Sequence, residues 1–285
     1  MSTSPLKNFS LYLGAGIVGL VVVLAVVSVL WTPHDPVQAV PADRLQGPST
    51  QYWLGTDRFG RDIASRLMVG AQITLVVGVI AVGISAVVGI PLGIWAAMRG
   101  GWTDVFIMRG ADLLLAFPAL LLAFPALLLA IITAAVFGPS VVTAMVAIGI
   151  SGVPGFARVA RAGALQVLTQ DYISAARISQ VPEPVIAWRH IWPNIRALAI
   201  VQASVAFALA ILAEAALSFL GLGASPPNPS WGLMLQAAQT QLGTSPLLAL
   251  WPGLAIAVTV LGFNMLGDGL RDALDPRHSA HRRKR

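Results

Sequence analysis

Apolar residues in this chain of 285 come in runs too long for the helices of an ordinary water-soluble domain. Leu11 to Trp31 is one such run, and Leu67 to Met98 is a second without a single charged residue. Leu113 to Ala157 is uncharged across forty-five residues. Ala197 to Leu222, interrupted only by Glu214, and Leu247 to Leu266 complete the set. A helix needs about 20 apolar residues to cross the hydrocarbon core. The forty-five-residue run is therefore too long for one crossing. Phe137-Gly138-Pro139-Ser140 supplies turn chemistry inside it and divides it into two helices. The pattern predicts an all-α, polytopic membrane protein with six transmembrane helices.

Composition agrees with that reading. Hydrophobic residues make up 56% of the chain and charged ones 11%, where a soluble domain would carry about 25% charged residues. There is no cysteine, so disulfides and thiolate metal sites are excluded. The four histidines (His34, His190, His278 and His281) are too scattered to suggest a metal site. The net charge of +6 comes with no aromatic-basic surface or known nucleic-acid motif, so no nucleic-acid partner is expected.

Where the basic residues lie sets the expected topology. With the N-terminus inside, the cytoplasmic segments hold fourteen of the eighteen Lys and Arg residues, as the positive-inside rule asks. The four left outside, Arg44, Arg58, Arg61 and Arg66, are matched by Asp35, Asp43, Asp57 and Asp62. Both termini are thus expected in the cytoplasm, with the tail His281 to Arg285 retained there beside the lipid bilayer. The first run could instead be a cleaved signal peptide. Its length exceeds the roughly 7–15 residues of a signal core, and only Lys7 flanks it.

One run contains a repeat: Leu113-Leu114-Leu115-Ala116-Phe117-Pro118-Ala119 recurs without change as Leu120 to Ala126. Seven extra residues turn a helix face by only about 20°, so the expectation is a recent duplication tolerated through tilt or a proline kink.

Three polar strings carry more specific information. Leu54 to Leu67 reads Leu-Gly-Thr-Asp-Arg-Phe-Gly-Arg-Asp-Ile-Ala-Ser-Arg-Leu. Between the fourth and fifth spans lies a segment of roughly forty residues, Arg158 to Arg196. It contains Ala175-Ala176-Arg177-Ile178-Ser179-Gln180-Val181-Pro182-Glu183-Pro184 and ends near Arg189 and Pro193. The third string is Glu214-Ala215-Ala216-Leu217-Ser218-Phe219-Leu220-Gly221-Leu222-Gly223, running on to Trp231-Gly232. In order, these strings resemble the membrane permeases of ABC importers, in particular the C-type permease subunits of the peptide/nickel class. The middle string is similar to their EAA loop. Gly267 to Arg277 is similar to their C-terminal ending.

The resemblance implies a type I ABC importer transmembrane domain in the cell (inner) membrane. Residues 1–70 would be a cytoplasmic tip, a first helix and an external segment; 71–275 the five-helix permease domain; and 276–285 a basic tail. Implied partners are a homologous second permease subunit, two ABC ATPase subunits and an extracytoplasmic solute-binding protein. ATP and Mg would sit on the ATPases. This chain has no G-x-x-x-x-G-K-[ST] string, and its only lysines are Lys7 and Lys284. No catalytic residue, cofactor or metal is assigned to it.

Site expectations follow from the same resemblance. Ala175 and Ala176 would permit close approach to an ATPase, with Arg177, Glu183 and Arg189 supplying polar contacts. Gln180 stands where the family usually has glycine, so Pro182 and Pro184 are expected to make the break between two short helices. In the external motif (Gly55, Asp57, Gly60, Arg61, Asp62, Arg66) the charges either pair among themselves or meet a binding protein. Glu214 is a pathway candidate or a structural acid bonded to backbone or to Ser218; an acid inside a span is costly and points to a bundle interior or water. Phe219 and Trp231 are gate candidates, Trp231 at the membrane interface. A secondary transporter, which needs acids at mid-membrane, and a membrane scaffold without transport remain open alternatives.

Overall fold

A computed structural model describes residues 5–115 and 124–274. The repeated heptads fall largely between those two stretches, and the basic tail beyond them, so both lie outside the described residues. The chain forms α1 (Pro5–Leu30), α2 (Ile63–Arg99), α3 (Gly101–Leu115), α4 (Phe124–Phe137) and α5 (Val141–Leu168). After these come α6 (Asp171–Ile178), α7 (Glu183–Ile186), a π turn over Ala187–Ile191, α8 (Trp192–Phe219), α9 (Trp231–Ala238) and α10 (Leu247–Leu274). Among the described residues there is no strand, only an isolated bridge between Thr56 and Asp62.

Among the described residues, five helical stretches are long and apolar enough to cross a membrane: Phe9–Leu30, α2, α5, Glu183–Phe219 and α10. α4 is apolar too but shorter, at 14 residues, so five such stretches stand where the apolar runs predict six spans. The boundaries expected at Phe137–Ser140 hold: α4 ends at Phe137, and Ser140 opens α5 with a capping box shared with Thr143. The segment around Arg109, expected only as a connection, is instead the helix α3. Two ion pairs hold it to α5, Asp104–Arg161 at 2.5 Å and Asp112–Arg158. The hydrogen bond from Arg161 keeps the Asp104 carboxyl below the usual carboxylate range.

Small residues allow the helices to approach closely, which is how association proceeds when lipid and side chain are equally apolar. The most extensive pairing is α2 with α5. There Gly93 lies so close to Ala157 and Ala160 that no side chain would fit. The Ser85 hydroxyl donates across the same seam to the Gly149 carbonyl at 2.7 Å. α1 packs on α10, and its Val21 and Ala25 join a core with Phe263, Ile211 and Trp231. The first helix is therefore built into the bundle. A second core joins α2, α4, α5 and α8. A third, described next, lies at the end of the bundle richest in arginine.

Candidate functional site

The segment from Asp171 to Trp192 has two chemically opposite faces. Inward, Ile173, Ile186, Ile191 and Ile195 are fully or almost fully buried. They pack with Ile94 and Ala97 of α2 and with Ala160, Ala164 and Val167 of α5. Outward, Ile178 is 83% exposed and Trp188 73%. Val185, Arg189, Gln180 and Pro182 are also exposed. Large apolar residues held in the open on a rigid base mark an interaction surface.

The local chemistry explains the shape. α6 ends in a Schellman motif: Val181 N donates to Ala176 O at 3.1 Å and Gln180 N to Arg177 O at 2.9 Å. Gln180 takes the left-handed conformation this motif requires, with φ 57°. The same motif closes α8, where Gly221 holds that position with φ 79°. The break expected from Pro182 and Pro184 is therefore made one step earlier, by Gln180 itself. The prolines start the next helix: Pro182 caps α7 and Pro184 sits in its first turn. Pro193 occupies the first turn of α8 and has no N–H to donate. The preceding π turn accommodates it, with Trp192 N bonded five residues back to Ala187 O and Asn194 Nδ2 reaching the His190 carbonyl at 2.7 Å.

Two contact expectations change. Ala175 is exposed, but Ala176 turns inward against the isoleucine cluster. Arg177 and Glu183 bond each other at 3.2 Å across the turn. Both are well exposed, so the pair contributes on the order of 0–1 kcal/mol. The isoleucines were not singled out from the sequence. Their signal was present as apolar residues at 173, 186, 191 and 195 inside an otherwise polar segment.

At the opposite end of the bundle, several residues of the Gly55–Arg66 motif make contacts within the chain. Asp57 accepts from Arg61 Nε at 2.7 Å and from the backbone N of Phe59 and Arg61. Asp62 caps α2 by accepting from Ser65 N at 2.9 Å. Arg66 is buried and donates to Pro36 O at 2.9 Å. Gly60, at φ 77°, lies against Val40, where a side chain would collide with backbone. The motif thus pins the segment between α1 and α2 onto the head of α2.

The pathway candidates lie at the same end. Glu214 is 2% exposed, and its Oε1 accepts from Ser218 Oγ at 2.8 Å. Ser218 Oγ in turn accepts from Ala224 N at 3.1 Å. The Thr74 and Ser230 hydroxyls lie beside the same carboxyl. Glu214 Oε2 and Thr74 Oγ1 are buried without a hydrogen-bond partner among the described residues. Phe219 is half-buried at the end of α8. Trp231, expected at the membrane interface, is 3% exposed. Its indole lies over Gly70 and donates to Leu67 O at 3.0 Å, so it is a core residue linking α9 to α2.

Comparison with known proteins meets this geometry at the level of the whole chain. Residues 89–279 match the family described as "Binding-protein-dependent transport system inner membrane component". The dipeptide transport system permease protein DppC of Alkalihalophilus pseudofirmus is 43% identical, over 95% of this chain and 87% of its own length. The glutathione transport system permease protein GsiD of Pectobacterium atrosepticum is 41% identical, over 91% and 85%. GsiD of Escherichia coli is 43% identical, over 90% and 83%. Agreement of this extent makes the chain a member of the binding-protein-dependent transport system inner membrane components.

Proposed function

We propose that this chain is one permease subunit of an ATP-driven peptide importer. Its 171–192 segment docks on a separate ATPase subunit. The basic end faces the cytoplasm, with both termini there, as the Lys/Arg distribution favours. The chain pairs with a homologous permease and receives peptides from an extracytoplasmic solute-binding protein. ATP and Mg are held by the ATPases. The relatives named for dipeptide and glutathione transport support the substrate class.

The observation that carries this reading is the two-faced 171–192 segment. Its outer face offers Ile178 and Val185 to a partner, while its inner isoleucines are wedged between α2 and α5. A close-packed interior transmits displacement instead of absorbing it. Force applied to the outer face therefore reaches both spans at once, which suits a rocking transition between inward-open and outward-open states.

Ile178→Glu and Val185→Glu test the reading, because both positions are exposed and neither contributes to the core. Each is expected to lower uptake of a labelled dipeptide by about tenfold, as loss of a central contact does, and to reduce co-purification of the ATPase. Normal uptake and normal co-purification in both variants would contradict it.

A further inference from the structure

Beside the docking segment, the same end of the bundle holds an open groove of about 1000 Å³. One wall is the last part of α2, from Ala86 to Arg99, and the other is formed by residues between Glu183 and Trp192. At 1.5 Å per residue the α2 wall is ~20 Å long, against ~30 Å for the whole hydrocarbon core. The groove therefore belongs to one leaflet and its headgroup region.

Its chemistry is graded along that length. Val87, Ile90 and Ile94 form the deep, apolar part. Trp95, Trp188 and Trp192 follow towards the end, the last two stacked with ring centroids 6.4 Å apart. Tryptophan concentrates at headgroup depth, where one edge is apolar and the other wet. Arg99, in the last turn of α2, closes the groove.

Charge decides what fits. The one acid in the lining, Glu183, is already paired with Arg177. Arg158 and Arg161 at the same end are matched by Asp112 and Asp104. Arg99 is the one cation of the lining, and it has no ion pair among the described residues. An apolar slot one leaflet deep, ringed by tryptophan and ending in an unmatched cation, has the profile of a lipid with net negative charge.

We propose that this groove holds the acyl chains of an anionic phospholipid, with Arg99 binding its headgroup. The inference rests on the membrane-spanning reading of α2 and α8. The test uses the membrane complex in nanodiscs containing phosphatidylglycerol that carries a photoactivatable acyl chain. A parallel sample carries the same label on phosphatidylcholine.

Cross-links from the anionic probe are expected within residues 86–99 and 183–192, at about five times the zwitterionic yield, the scale of one arginine near an anionic surface. Arg99→Gln is expected to remove that preference and Arg99→Lys to keep it. Val79 and Ile80, exposed on α2 outside the groove, serve as controls that should label equally with both probes. Equal yields in the groove alongside labelled controls would overturn the proposal. So would a disulfide between Val87→Cys and a cysteine of a second membrane chain, which would show protein filling the slot. Absence of labelling at the controls as well would instead overturn the membrane reading beneath it.

Discussion

Gln180 is the residue on which the docking segment turns. A non-glycine side chain in the left-handed region costs roughly 1–2 kcal/mol, part of which glycine would return as unfolded-chain entropy. Gln180→Gly is therefore expected to stabilise the complex by about 0.5–1 kcal/mol, read as a higher thermal midpoint, with uptake retained. Gln180→Pro, which fixes φ near −65°, should abolish ATPase co-purification. Glu214 poses a different problem, because one of its oxygens and the nearby Thr74 hydroxyl are buried without partners. An amide keeps the acceptor for Ser218 and adds a donor for Thr74. Glu214→Gln is expected to match or exceed the wild type in thermal stability, and Glu214→Ala to lose about 1–3 kcal/mol. A Gln variant as unstable as the Ala variant would sink this account of the carboxyl. At this scale the sequence was only partly readable. The substitution at 180 was visible, but its left-handed backbone was not, since glutamine gives no signal for that conformation. Trp231 resembled an interfacial anchor because nothing local reveals that Gly70, 161 positions earlier, leaves room for its indole.

The elements were more legible than their contacts. Uncharged runs and the Phe137–Ser140 turn located the apolar helices, because removing a charge from water into lipid is costly enough to dominate every local preference. The helix α3 was hidden for the complementary reason: its charges, read as loop polarity, are used to clamp it to α5.

At the scale of the molecule, three cores divide the work. One binds α1, α2, α8, α9 and α10; a second ties α4 into α2, α5 and α8; the third fastens the docking segment to α2 and α5. The strings with family resemblance sit in two places, the 55–66 and 214–232 strings together at one end and the 175–184 string at the other. The first two make many hydrogen bonds and packing contacts within the chain, while the last holds Ile178 in the open. That asymmetry is why the account rests on the 171–192 segment. The absence of cysteine makes a direct measurement simple. A single cysteine at Ile178, in membrane vesicles of known orientation, should react with an impermeant thiol reagent only from the cytoplasmic face. It should also cross-link to the ATPase subunit in the assembled importer. Reaction from the outer face, or free reaction with no cross-link to the ATPase, would contradict the central claim.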